Sequence, residues 1–397
     1  MTAVAAPPEP KLNPLALPAL AAAYFTLGIS TMAPIGLIPE MSHDLQVTPG
    51  AIAFLLTALA FTYTLIALPL QMAFGDWDRK TLVLIGVGGV AVGQVICAIA
   101  PNYAVAVFSR MVMAFGCSLI GPMVNAAAAS IVPPHRAGQA VGFVLIGTSL
   151  SSVIGVPLAS LMGQLVGWRY AMAGIAVLCV LIMAAVYYSV PAGSHGRKTT
   201  ASAMLSTFKD PVLAPGLAVT FFQMAATFCT TALVGVFLIQ YFHVPEHGVP
   251  LALLANGIAG IIGTSIAAHL LGRVGHDRLL RVTLPAVCVV FLILQFPPPP
   301  GVIAIALFLL WSIVGSTMMG PQGARLVALA GESRNMVLAL NAALLQCGIA
   351  AGAALAGYLY DHFGVRSLPH ASLAISLITL AMYWLSYTNW KRRNDAS

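Results

Sequence analysis

Twelve apolar runs, each near the roughly 20 residues an α-helix needs to cross a bilayer, fill almost all of this 397-residue chain. No soluble core can bury them all, because a water-facing surface needs polar cover. Charged residues are 7% of the chain, where an ordinary soluble domain has roughly 25%. A soluble enzyme, a disordered chain and a nucleic-acid binder are excluded together. The expected fold class is an all-α membrane protein of twelve transmembrane helices. The first run, 14–39, is too long for a signal-peptide core and leads straight into further runs, so it reads as an uncleaved first span.

Lys and Arg set the orientation. Of the 18, Arg169 and Arg366 fall in outer loops and Arg110 lies inside a span, which leaves 15 in inner segments if the N-terminus is cytoplasmic. By the positive-inside rule both termini then lie in the cytoplasm and the protein is multi-pass in the inner membrane. The net charge of +7 is a topology device, and no nucleic-acid partner is expected. The six cysteines all sit in apolar runs without a CxxC pair and read as small core residues.

The chain repeats itself. The polar stretch 191–210 cuts it near the middle, with six runs on each side. Asp78-Arg79 matches Asp277-Arg278, and Gly116 and Gly121-Pro122 match Gly315 and Gly320-Pro321, all 199 positions on. Six spans per repeat is an even number, so the halves share an orientation and relate by an axis along the membrane normal. The expected organisation is a tail at 1–13, a six-helix bundle at 14–190, a linker at 191–210, a second bundle at 211–389 and a tail at 390–397.

Three stretches carry chemistry. Gly75-Asp76-Trp77-Asp78-Arg79-Lys80 sits between the second and third spans, Arg110 to Gly116 lies in the fourth, and Gly155-Val156-Pro157-Leu158 lies in the fifth. With the repeated layout, they resemble the major facilitator superfamily, most closely its twelve-helix drug/proton antiporter branch of bacterial drug, sugar and nucleoside effluxers. The resemblance implies two six-helix bundles rocking about one central site by alternating access. It implies gating by Asp76 or Asp78 with Arg79, by Gly155 and Pro157, and by the repeat copy Asp277 and Arg278. A degraded Gly pattern leaves open which acid acts, and a plain positive-inside loop is the alternative. In the family the arginine at position 110 is linked to proton coupling. An arginine there costs about 2.5–3.5 kcal/mol on insertion scales, so it faces a cavity or a partner, or snorkels outward. Gly155 and Pro157 combine close helix approach with a bend, which also fits a simple packing seam.

No acid lies deep in any span. Glu40, at the outer end of the first, is the nearest candidate, and a Glu40–Arg110 pair is the expected proton-coupling site, with a solvated Glu40 as the alternative. Family layout puts spans 1, 4, 7 and 10 at the centre and 2, 5, 8 and 11 at the sides. Polar and aromatic residues there form the expected substrate wall: Tyr24, Thr31, Tyr63, Arg110, Gln223, Thr227, Asn256, Trp311, Asn341 and Gln346. Each amide singly is better explained by helix–helix bonding, but as a set near one depth some of them should face the lumen. His243 and His247 have metal-like spacing, but Pro245 interrupts it, so no metal and no cofactor is expected. The expected partners are a small-molecule substrate, protons and the bilayer, and the chain reads as a monomer. The function expected is proton-coupled efflux of a small organic solute or drug. The alternatives are an uncoupled facilitator or an anion exchanger using Arg110, and a non-transporting sensor.

Overall fold

Caps and prolines cut the apolar runs into helices. The computed structural model describes residues 13–195, 210–296, 301–330 and 334–395. The first six crossing helices are α1 Ala16–Met32, α2 Pro49–Phe74, α3 Arg79–Ala98, α4 Tyr103–Ser130, α5 Ala137–Val166 and α6 Trp168–Ser189. The second six are α7 Leu213–Thr231, α8 Val249–Val274, α9 His276–Ile293, α10 Val302–Ala330, α11 Arg334–Phe363 and α12 Ser367–Asp395. No strand occurs among the described residues. Thr48, Asp78 and Asn102 accept the first free N–H groups of α2, α3 and α4, as side-chain oxygens do at helix starts. Gly167 and Gly364, both at positive φ, end α5 and α11 and let the chain turn at once into α6 and α12.

Eleven of these helices are long and apolar enough to cross a membrane. The twelfth, α9, carries Asp277, Arg278 and Arg281 within 18 residues. Its span begins three residues before the 279–296 expected from the sequence. Asp277-Arg278 therefore lies in the first turn of a helix rather than in a loop after α8. Arg325 is likewise no loop residue, since it lies buried inside α10.

The repeat is structural as well. α4 and α10 begin 199 residues apart, and so do α6 and α12. The first helix of each half is shorter than its apolar run. α1 gives way at Ala33–Gly36 and restarts as a short helix, Ile38–Leu45, while α7 gives way after Thr231 and restarts as Val234–Gln240. Pro34 explains the first break, because it has no N–H to bond the Ser30 carbonyl and its ring crowds that oxygen.

In α5, Pro157 has the same effect, and the helix absorbs it as a π-turn at Ser151–Gly155 in which Val156 N–H reaches back to Ser151 O. The small residues of α5 form a seam against α1: a Cβ on Gly147 would lie 2.0 Å from Ala21 O, and one on Gly155 would touch Ile29. Exposed Leu, Ile, Val and Phe side chains cover much of the outside, as a lipid-facing belt requires.

Candidate functional site

Among the described residues, the bundles meet mainly along α2 against α11 and α5 against α8, and their closest approaches lie toward one face. Call the face with the ends of α12 and the start of α7 the terminal face; there Arg393 pairs with Asp210 and Asn389 donates to Pro211 O. Three hydrogen bonds join the bundles among the described residues, and all lie toward the opposite face. Thr48 Oγ1 donates to Asp361 at 2.8 Å, Thr57 Oγ1 to Ala350 O at 3.1 Å, and Gln164 Nε2 to Glu246 O at 2.8 Å. Backbones approach closely there too. A Cβ on Gly257 would lie 2.6 Å from Val153 Cα, and one on Gly357 2.7 Å from Gly50 O. The broken tips of α1 and α7 cross as well, Gly235 facing Ile35 O. α8 packs along the π-turn and the Val156–Val166 part of α5 but makes no comparable packing with Ala137–Leu150. Gly138, Gly142 and Gly272, near the terminal face, have nothing within 4 Å of a Cβ position. Among the described residues, the hydrogen bonds and tight glycine contacts between the bundles gather at the opposite face and thin out toward the terminal face. Gly155 and Pro157 lie at the edge of that tight seam.

Arg110 is wholly buried, inside the first bundle. Its Nη1 donates to Ser30 O at 2.8 Å, the carbonyl that Pro34 leaves without a helical partner. Its other neighbours are sulfurs: Met113 Sδ at 3.4 Å, Cys97 Sγ at 3.7 Å and Met172 Sδ at 3.8 Å. No carboxylate bonds it among the described residues. The expected Glu40–Arg110 pair is not formed, because the break in α1 turns Glu40 onto the short helix outside the bundle core.

Glu40 instead lines a cavity of about 670 Å³ at the opposite face, with His43, Asp44, Arg169 and, from the second bundle, Glu246. One carboxyl oxygen is buried without a hydrogen bond. Burial raises its pKa above the usual carboxylate range, and Glu246 adds to that. Asp44 is paired with Arg169.

The gating residues separate. Asp78 accepts from the Thr81, Gly193 and Ser194 N–H groups. Burial works to raise its pKa, but these bonds outweigh it and hold the carboxylate low. Arg79 donates to Ala126 O and Ser194 Oγ. The pair thus ties the start of the linker to its own bundle. Asp76 is exposed. The repeat copy differs: Asp277 turns inward to Arg325 Nε at 2.9 Å, while Arg278 is exposed.

The expected substrate wall also divides. In the first bundle Tyr24 donates to Gly121 O at 2.8 Å, and Tyr63 lies beside the same glycine. In the second, Gln223 and Asn341 join a small cleft, and Gln223 reaches Thr227 at 3.4 Å. Gln346 is half-buried on α11. Three residues are placed elsewhere. Trp311 packs in an aromatic core with Phe237, Phe291 and Phe308. The Thr31 hydroxyl bonds carbonyls of its own helix, and Asn256 offers its backbone carbonyl to Ser312. Sequence reasoning missed Thr220, Gln322 and the buried Arg325. The signal for Gln322 was its place beside Pro321, an amide next to a helix breaker.

The sequence profile described as Major Facilitator Superfamily matches residues 20–330. The chain belongs to the major facilitator superfamily. As a member of it the protein is a multi-pass membrane transporter of small molecules and not an enzyme. It is 25% identical over 88% of its length to an uncharacterized MFS-type transporter, YbcL, of Bacillus subtilis, covering 90% of that protein. A probable sugar efflux transporter of Helicobacter pylori is 23% identical, with 92% of this chain and 93% of that one aligned. Among solved structures, a bacterial homologue of the lysosomal transporter Spinster, inward-facing and unoccupied, superposes with a TM-score of 0.74 at 15% identity, over 95% and 97% of the two chains. The nucleoside transporter NupG gives 0.73 at 14% identity, over 94% and 99%. These superfamily structures share the two-bundle fold.

Proposed function

We propose that this transporter exports a small organic solute in exchange for protons, by alternating access, as a monomer in the inner membrane with both termini cytoplasmic. The observation that carries the reading is the one-sided seam: among the described residues, the hydrogen bonds and tight glycine contacts between the bundles gather at the face away from the termini and thin out toward the other. With 15 of 18 Lys and Arg assigned to the terminal side by the sequence, the looser face is cytoplasmic and the molecule is poised to load from inside. The efflux relatives support the direction of transport, and they support a sugar-like solute over a charged drug.

In the cycle, solute enters between the bundles, the seam at Gly257, Gly357 and Thr48 opens, and solute leaves outward. Glu40, half-buried in that seam, takes the returning proton, and closing the seam favours its neutral form. Arg110 holds the broken end of α1, so it acts on the helix that carries Glu40 rather than on the proton directly. Asp78 and Arg79 hold the linker, and Asp277 with Arg325 holds α9 to α10; both clusters sit where the bundles move.

An uncoupled facilitator is the second reading. What favours it is that Arg110 has no carboxylate bound to it among the described residues. Proteoliposomes with a trapped pH dye decide. Antiport predicts that an outward solute gradient acidifies the compartment receiving protons, and that Glu40→Gln abolishes the acidification. Solute flux without any pH change would establish the facilitator.

A further inference from the structure

In the second bundle, a cleft of about 20 Å³ has a mostly apolar wall, with Val219, Met224 and Met318 in it, and is dotted with the polar side chains Thr220, Gln223, Gln322 and Asn341. That is room for one oxygen atom with its hydrogens. Its polar groups form a chain with a fixed direction. Gln322 Nε2 donates to Gly216 O at 2.7 Å and to Thr220 Oγ1 at 3.2 Å, and Thr220 Oγ1 donates to Asn341 Oδ1 at 2.7 Å. This chain fixes which end of the Gln322 amide is nitrogen and which is oxygen. Two acceptors are left over: Gln223 Oε1 and Gln322 Oε1 are buried without a hydrogen bond, on side chains 4% and 5% exposed. Leaving two such oxygens unmet is costly, so the cleft is built for a donor.

A second observation points the same way. α10 is interrupted at Thr317–Met318, on the rim of the cleft. Pro321 causes the break, since its ring crowds the Thr317 carbonyl and it has no N–H to offer. Irregular backbone at membrane depth is tolerated where it is buried in protein or lines a cavity. Beyond the break, Met319 is exposed, and Gly320 and Gly323 have nothing within 4 Å of a Cβ position, so the cleft has an open side.

None of the lining residues is charged. The one cation nearby in sequence, Arg325, is engaged by Asp277. We propose that this cleft is a subsite for a single hydroxyl group of a neutral, polyhydroxylated solute. The hydroxyl donates to Gln223 Oε1 or Gln322 Oε1 and displaces a water. The proposal rests on the reading of the protein as an exporter of a small organic solute and names the class of that solute.

The test is binding, kept separate from transport. Purified protein in detergent is heated with a panel of hexoses and pentoses, the matching monodeoxy sugars, and choline and benzoate as charged controls. One hydroxyl is expected to matter: its removal weakens apparent affinity about tenfold, the worth of one hydrogen bond. Gln223→Met is expected to weaken the parent sugar by a similar factor and leave that deoxy sugar unchanged. Gln223 makes only one long bond, so its variant is expected to melt as the parent does. The proposal is overturned if no neutral sugar stabilises the protein, if a charged control binds in its place, or if the variant weakens parent and deoxy sugars equally. Binding that does not change between parent and variant means the cleft holds water only, and also overturns it. Solute flux in proteoliposomes tests the transport reading by itself, and can succeed or fail independently.

Discussion

Arg110 in the first bundle and Arg325 in the second are the two most deeply buried guanidinium groups described, and they are held in opposite ways. Arg110 meets a carbonyl that a proline has freed, ringed by sulfur. Arg325 meets a carboxylate, a serine hydroxyl and the face of Tyr383. The difference teaches that the repeated halves share a frame and not a chemistry. One cation repairs a break in a helix; the other closes a charge pair.

The comparison breaks most visibly if the pair is cut. Arg325→Met leaves Asp277, partly exposed beside His276 and the Tyr383 hydroxyl, without its guanidinium; cutting a fully buried pair costs about 3–5 kcal/mol, and this cut should cost somewhat less. Thermal unfolding in detergent should show a large loss, and adding Asp277→Asn should recover most of it. Equal stability of Arg325→Met and the parent would remove the contrast. Arg110→Met should behave differently. It loses a hydrogen bond worth about 1–3 kcal/mol when a buried acceptor is orphaned, but it also removes an unpaired charge whose burial costs several kcal/mol. The melting temperature should hold or rise while solute flux falls at least about tenfold. Pro34→Ala sharpens this. It returns a helical N–H to the Ser30 carbonyl, so the double variant should be more stable than Arg110→Met alone by about 1 kcal/mol.

The frame was legible in the sequence because it rests on long-range averages. Run lengths, charge placement and a fixed 199-residue offset do not depend on any one side chain. The sites depend on single breaks that averages hide. The apolar runs 14–39 and 211–241 each read as one helix, yet each is cut near the seam, at Ala33–Gly36 and after Thr231. That cut moves Glu40 away from Arg110. Gly121-Pro122 and Gly320-Pro321 look the same in the sequence, but α4 stays continuous and α10 opens. Local composition at Pro122 and Pro321 cannot tell these outcomes apart; the packing of Tyr24 against Gly121 and of Gln322 against Gly216 does.

The seam offers a second contrast, between its tight and looser ends. Gly257→Ala places a Cβ against the backbone of Ser152 and Val153, which cannot move aside as a side chain would. It should cost the closed seam about 1–3 kcal/mol and raise labelling of a cysteine placed at the opposite face. Gly272→Ala, on the same helix in open space, should do nothing. If both behave alike, the one-sided seam is wrong.

Smaller effects should come from the charges in the seam, and their sign is fixed. The Glu40 carboxyl titrates higher in the closed seam than in water, first through burial and then through Glu246. Of its neighbours, Asp44 is already engaged by Arg169, and His43 and Glu246 remain to share the cavity. Closure is therefore favoured in full below the usual glutamate pKa and weakens as pH rises through the raised value. Labelling at the opposite face should increase over that window, and Glu40→Gln should flatten it. Thr48→Ala is the mildest of the set. It removes one exposed hydrogen bond to Asp361 and the cap of α2 together, for about 1 kcal/mol. The cap belongs to α2 in either state, whereas the bond to Asp361 exists only while the seam is shut. Asp361→Asn weakens the bond and spares the cap. If Thr48→Ala lowers the melting temperature while Asp361→Asn raises labelling at the opposite face, the two roles of Thr48 are separate and Asp361 belongs to the gate. If Asp361→Asn changes neither, the closed seam is held by its glycine contacts and not by this bond.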